Sequence, residues 1–280
     1  MSKKNIVHTG LGIELARRLA GQGDRIFTVK RAREVAPEVG LSDNYLNQAL
    51  YYLVKAGWVV RLRQGLYALS SSVPGLTSVH EFEIAMALVN PAAISHWSAL
   101  HYHGLSEQIP RRIFVLTTTE ATIPRHRGRA ARTAAGYSGI TIRETNYRFI
   151  QVNPERYFGI EKIWVGEVRA SITDPERTLL DGLARPKYCG DFAEVLHAFE
   201  VRGKALDIDL IIDYALRLDA ATAKRLGWVL ERQGVALSRL KRLAELPVKG
   251  YRPLDPSGPG RGPVSRRWMI RENLPGRSRL

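Results

Sequence analysis

Between residues 42 and 69 the spacing of apolar positions changes period, and this change organises the reading of the whole chain. Leu46, Ala49, Leu50, Leu53 and Val54 recur at helical intervals, so the pattern predicts a helix with those residues on a buried stripe. Asn44, Gln48, Tyr51, Tyr52 and Lys55 fall on the other side. Ser42 stands at the predicted N-cap, where a hydroxyl can accept from a first-turn N–H that otherwise lacks a partner, and Gly57 is placed to stop the helix in a left-handed conformation. From residue 58 to 63 the period falls to two, with Val60 and Leu62 facing one way and Arg61 and Arg63 the other. Gln64-Gly65 then predicts a tight turn and residues 66–69 a return strand.

The residues before this stretch supply the rest of a recognisable order. Leu11, Leu15 and Leu19 predict a first helix over 11–19, residues 24–29 an extended piece, and Thr28 the cap of a second helix over 29–39 that turns at Gly40-Leu41. Helix, extended segment, helix, turn, helix, hairpin is the order of a winged helix-turn-helix. The chemistry of the exposed side fits that order, because amides match the major-groove edge of adenine and arginines on a wing neutralise phosphates or enter the minor groove. The plainer alternative is a small helix-and-hairpin unit whose polar face is only solvated.

Residues 70–75 (SSSVPG) read as a linker, which predicts domains at 1–74 and 75–280. In the second, helices are predicted over 80–88, ending at Asn90-Pro91, and over 95–102, ending at Gly104. Segments 112–117, 140–142, 147–152 and 163–171 read as strands, the last three belonging to one mixed sheet. Residues 123–132 (IPRHRGRAAR) form a basic loop, either solvated or contacting phosphate through Arg125, Arg127, Arg129 and Arg132. Asp174 suits an N-cap with Pro175 at the first helical position, and further helices are predicted over 192–200, 210–217, 220–233 and 238–246, with a last strand at 268–271. The predicted class is α+β: an N-terminal winged helix-turn-helix, then a larger mixed α/β domain with a β-sheet and a C-terminal helical cluster.

Charge sharpens this picture. The 280 residues carry a net +15 with a pI near 10.2, which favours a polyanion, although a basic compositional bias or an acidic protein partner would give the same surplus. Within the first 74 residues eleven Lys and Arg stand against five Asp and Glu, so the excess is not concentrated there. A single cysteine, Cys189, excludes an internal disulfide and a cysteine-based metal cluster. No apolar run is long enough to cross a bilayer and the first residues lack the apolar core of a secretion signal, which predicts a cytoplasmic protein without membrane contact.

Four segments in order, RLRQGLYAL, SHWSALHYHGL with RRIFVLT, SITDPERTLLDGL, and PLDPSGPGRGPVSRRWMIRENL, resemble the AbiEi family of type IV toxin–antitoxin (abortive infection) antitoxins over nearly the whole chain. The resemblance implies a DNA-binding autorepressor acting on inverted repeats upstream of its own operon, as a dimer on DNA. It also implies a C-terminal domain that counteracts a nucleotidyltransferase-like toxin without a stable complex. Carried over by position, the DNA-contact candidates are Ser42, Asn44, Tyr45, Asn47, Gln48, Tyr51, Lys55, Arg61, Arg63 and Gln64. In SITDPERTLLDGL the family pattern falls on Thr173, Glu176, Arg177, Thr178, Leu180 and Asp181, residue types that capping, pairing and packing also explain.

Enzyme readings are weaker. Pro154-Glu155 followed by Glu167-Val168-Arg169 resembles a metal-dependent nuclease of PD-(D/E)xK type, but arginine replaces the lysine of that pattern and guanidinium is a poor substitute. His96, His101 and His103 lack the spacing of a metal pair. The expectation is no enzyme, no catalytic residue, no cofactor and no metal. A DNA-binding regulator without antitoxin activity is the other alternative.

Overall fold

The chain is described by a computed structural model covering residues 3–71, 73, 78–119 and 139–274. Its first unit runs α1 (Lys3–Gly21), β1 (Ile26–Thr28), α2 (Val29–Val35), α3 (Asp43–Lys55), β2 (Val59–Arg63) and β3 (Leu66–Leu69). The three strands form an antiparallel sheet in the order β1-β3-β2. Thr28 caps α2 as predicted, its hydroxyl accepting from the Arg31 N–H at 3.1 Å. The α-helix stops at Val35 and not at residue 39, and Ala36–Val39 is a 3-10 turn containing Pro37, which has no N–H to continue the α pattern. Ser42 occupies the N-cap backbone position, yet its side chain makes no capping bond. The first turn relies on the Ser42 carbonyl, which accepts from the Tyr45 N–H at 3.0 Å, and on Asp43 at the positive end of the helix.

The stripe of α3 is Leu46, Ala49, Leu50 and Leu53, all buried, while Val54 is turned outward and 37% exposed, contrary to the spacing argument. Val54 lies at the edge of the stripe. Gly57 ends the helix with φ 78°, as predicted, and Gly65 turns the hairpin with φ 74°.

The small sheet is buried on both faces. Phe27, Val59 and Leu69 pack against Leu15, Leu19, Leu46 and Leu50 of the helices, whereas Leu62, Leu66 and Ala68 pack against Phe82, Ile84 and Ala85 of α4 (Glu81–Leu88). Arg25 crosses the junction, donating to the Ser78 carbonyl at 3.0 Å and lying 3.7 Å from the Glu83 carboxylate. Burial raises the Glu83 carboxyl above its usual range, against the pull of Arg25. Two residues of the predicted linker are packed: the Ser70 hydroxyl donates to the Gly57 carbonyl at 2.5 Å, and Val73 is buried among the helices.

The second sheet holds β4 (Ala93–Ile94), β5 (Arg112–Thr117), β6 (Gly139–Ile142), β7 (Thr145–Gln151), β8 (Ile160–Val165) and β9 (Val168–Thr173) in the order β6-β7-β5-β4-β9-β8, with mixed directions as predicted. The predicted single strand over 163–171 is instead the facing halves of the β8–β9 hairpin, with Gly166 at φ 61° in its turn. Alternation continues across a two-residue turn, so the pattern alone does not reveal it. Strand β4 is too short to alternate. Helix α5 (His96–Tyr102) follows β4, and α6 (Pro175–Ala184) follows β9.

Helices α7 (Phe192–Arg202), α8 (Ile208–Leu218) and α9 (Ala220–Arg232) gather around Leu180, Phe199, Ile211, Leu226 and Trp268. The predicted helix over 238–246 reduces to one turn, α10 (Lys241–Ala244), preceded by i→i+3 turns. A last sheet, β10 (Arg252–Pro253), β12 (Ile270–Arg271) and β11 (Val264–Ser265), closes this end and seats Trp268 on Gly227 of α9.

A methyl group at Gly227 would fall inside the Trp268 ring. Gly227→Ala should therefore lower stability by about 3 kcal/mol, through overpacking of a full core. Gly10→Ala, in an exposed part of α1 with open space around it, should raise stability by about 0.5–1 kcal/mol. Urea unfolding of the two variants checks both signs.

Candidate nucleic-acid interface

The four buried residues of α3 fix which side is presented. One side of the helix is pinned to α1 and the sheet, so Asn44, Gln48, Tyr51 and Lys55 stand diametrically outward and all are exposed. Asn47 lies on one flank and Tyr45, 41% exposed, on the other; Ser42 is exposed at the N-terminal end. Tyr51 is 62% exposed and meets Tyr52 edge to face, with ring centroids 5.5 Å apart. A phenol left this open is an available stacking and hydrogen-bonding surface. On the hairpin, Arg61 and Gln64 are exposed, whereas Arg63 is half-buried with its Nε shielded from solvent. A bulge between Arg61 and Arg63 separates the two in register. The interface candidates of α3 and the hairpin therefore stand at the surface of one unit, Arg63 less open than the rest. Arg125, Arg127, Arg129 and Arg132 lie outside the described residues.

Charge on this unit is sorted by pairing. Each of its five acids has an arginine: Glu14 with Arg17 at 3.8 Å, Asp24 and Glu34 with Arg31 at 2.8 and 3.4 Å, Glu38 with Arg18 at 2.6 Å, and Asp43 with Arg33 at 2.6 Å. The hydrogen bond donated by Arg18 holds the Glu38 carboxyl below its usual range, and the one that Arg31 donates to Asp24 raises Arg31. Such surface pairs contribute little to stability. Their consequence is spatial: among the described residues Lys30, Lys55, Arg61 and Arg63 have no carboxylate partner. An overall excess that looked diffuse in the sequence is thus exposed as free cations on α2, the end of α3 and the hairpin. Lys30 was not among the candidates, because nothing in its neighbours' identities shows that Glu34 pairs with Arg31.

Residues 14–70 match the sequence profile of a family described as "Transcriptional regulator, AbiEi antitoxin". Over these residues the chain is similar to AbiEi antitoxin regulators. The description names a regulator and no reaction. No curated protein matches the chain. Among solved structures, the RV2827C protein from Mycobacterium tuberculosis shares the fold at 15% sequence identity, with a TM-score of 0.65 over 92% of this chain and 90% of that one. The matched residues contain α2, α3 and the hairpin, hence every candidate contact on those elements.

Beyond the matched residues, the SITDPERTLLDGL segment is built into the core. Asp174 caps α6 by accepting from the Arg177 N–H at 2.7 Å, and Glu176 accepts from Arg202 Nη2 at 2.9 Å and the Asp207 N–H at 3.2 Å. Arg177, 1% exposed, donates to Asp181 at 3.0 Å and to the Arg156 and Phe158 carbonyls at 2.7 and 3.0 Å. The Thr173 and Thr178 hydroxyls meet at 2.7 Å. These residues of the segment cap, pair and pack, and all but the half-buried Asp174 are buried. The nuclease pattern is not assembled: Glu155 sits on a 3-10 turn and Glu167 in the β8–β9 turn, both exposed and neither on a strand, and Arg169 lies over the Trp164 ring. Among the described residues no group of three His, Cys, Asp or Glu is placed to hold a metal. Burial pushes the Cys189 thiol well up, which removes it as a nucleophile. No described helix is long and apolar enough to cross a membrane.

The histidines separate by environment. His103 Nε2 donates to the Thr173 carbonyl at 2.8 Å, His101 is exposed, and His96 is buried in a left-handed conformation at φ 52°. Burial depresses the His96 imidazole from 6.5 to about 4. Its neutral form is the one that fits, so the associated stability is complete above pH 6.5 and is lost as pH falls towards 4. Between pH 7 and 5 the parent chain should lose about 2 kcal/mol through this group. His96→Asn, which tolerates the same backbone, should lose that much less over the same interval. Urea unfolding at the two pH values measures the difference, and equal losses would remove His96 as the cause.

Proposed function

We propose that the chain is a duplex-DNA-binding transcriptional regulator and antitoxin. Residues 1–74 act as a winged helix-turn-helix and residues 75–280 as the antitoxin and effector domain. In this reading α3 enters the major groove, with Asn44 and Gln48 offering paired donors and acceptors to base edges. Ser42, Tyr45, Asn47, Tyr51 and Lys55 flank them, while Arg61, Arg63 and Gln64 of the hairpin and Lys30 of α2 meet the backbone or minor groove. The observation that carries the reading is that all five acids pair with arginines while, among the described residues, Lys30, Lys55, Arg61 and Arg63 on or beside an amide-bearing helix have no carboxylate partner. The AbiEi match over the same residues supports it.

The antitoxin half rests on that description and on the collinear motifs. The partner is a nucleotidyltransferase-like toxin of a type IV system, counteracted without a stable complex, and the operator is an inverted repeat upstream of the protein's own operon, bound by two molecules in the cytoplasm. Co-expression with the adjacent reading frame tests this half, rescue of growth being the supporting result and unrelieved toxicity the contrary one.

For the DNA half, fluorescence anisotropy on the upstream duplex should give saturable, salt-sensitive binding. Gln48→Ala should weaken the specific complex by about 1–3 kcal/mol and leave non-specific binding in place. Arg61→Ala should lower affinity for all duplexes alike and reduce the slope against log salt by about 0.9. Unchanged binding by both variants would reject the assigned face.

A further inference from the structure

A second aromatic surface lies away from α3. His80, Phe82, His101, Tyr102, Trp164 and Val165 line a groove of about 340 Å³ between the start of α4, the end of α5 and the tip of the β8–β9 hairpin. One wall is a run of rings: His80 against Phe82 at 5.0 Å, Phe82 against Tyr102 at 6.2 Å. The other wall is Trp164. Tyr102 is 44% exposed and Trp164 61%, making Trp164 far more open than the buried Trp228 and Trp268. Open rings of this size on a folded surface mark a binding face.

The hairpin register sets charge beside the rings. Trp164 pairs with Arg169 and Lys162 with Ser171, so Lys162, Trp164 and Arg169 share one face of β8 and β9. The Arg169 guanidinium lies over the Trp164 ring at 4.8 Å, and Lys162 donates to the Ser171 hydroxyl at 2.6 Å. Neither has a carboxylate partner among the described residues. Of the acids nearby, Glu161 alternates to the other face of β8 and Glu167 is in the turn, while Glu81 stands 4.0 Å from Nε2 of the groove-lining His80. His80 Nδ1 accepts from the Phe82 N–H at 3.1 Å.

We infer that this groove and the adjoining hairpin face bind single-stranded nucleic acid, with bases stacking on Trp164 and Tyr102 and phosphates meeting Lys162 and Arg169. Exposed rings, one of them with Arg169 over a face, beside cations that have no carboxylate partner among the described residues, match a chain of bases joined by phosphates better than an apolar or acidic peptide. Every base has a stacking face, so recognition here is tolerant of sequence. A duplex is excluded because its bases are already stacked. The site is independent of the duplex-reading helix.

The test uses the full chain, titrated into an end-labelled ten-nucleotide oligo-dT and separately into end-labelled oligo-U, with fluorescence anisotropy as the readout. A saturable rise in anisotropy is expected, with affinity weakened about tenfold or more by Trp164→Ala or Tyr102→Ala and largely kept by Trp164→Phe. Lys162→Ala with Arg169→Ala should lower the salt slope by about 1.4, two phosphates on a single strand. A stronger response to oligo-U than to oligo-dT identifies RNA as the natural strand, and the reverse identifies DNA. Gln48→Ala should leave single-strand binding intact, so a failed duplex reading does not remove this one. Affinity unchanged by Trp164→Ala, equal competition by duplex, or a Trp164-dependent response only to a proline-rich peptide or to a second copy of the chain would each overturn the inference.

Discussion

The structure depends on a sheet that has no free face. Strands β1, β3 and β2 are covered by the three N-terminal helices on one side and by α4 on the other. Each layer removes apolar surface from water, and the hairpin that carries Arg61, Arg63 and Gln64 is thereby held from behind by the second part of the chain. Because the sheet also receives Leu46 and Leu50, the same burial turns Asn44, Gln48, Tyr51 and Lys55 outward. The presented chemistry of α3 follows from what its other side covers.

This arrangement bears on how the two parts of the chain communicate. A free-swinging reader joined by a tether would leave the hairpin's inner face exposed, whereas here Leu62, Leu66 and Ala68 share a cluster with Phe82, Ile84, Ile94 and Ile172. Arg25 adds a polar tie from the strand side to Ser78 and Glu83. Helix α4 therefore has two neighbours of functional interest: its side supports the hairpin, and its first turn lines the aromatic groove. The lining of that groove and the support of the hairpin meet on one short helix.

Much of the first unit was legible because local rules agree there. Thr28, Gly40, Gly57 and Gly65 each mark a boundary by a mechanism that operates on a few neighbouring residues. The failures came where the deciding partner is distant or the pattern is degenerate. Val54 sits at the margin of a stripe, Ser42 has the right residue type without the bond, and the β8–β9 hairpin preserves alternation through its turn. For the site, the amide face was readable from helical spacing. The pairing that frees Lys30 and the packing that half-buries Arg63 were not, since both depend on which side chains meet in three dimensions. The groove around Trp164 draws on three segments far apart in sequence, and no local signal announces it.

The central claim is that the outward side of α3 is the surface that meets a duplex. The most direct measurement replaces Tyr51 with a photo-reactive phenylalanine, irradiates the full chain with its upstream duplex, and repeats this with the same probe at the exposed Tyr251. The account predicts a covalent DNA adduct from position 51 that unlabelled upstream duplex competes away, and none of that kind from 251. An adduct confined to position 251, or none from 51 under conditions where the duplex is bound, would contradict it.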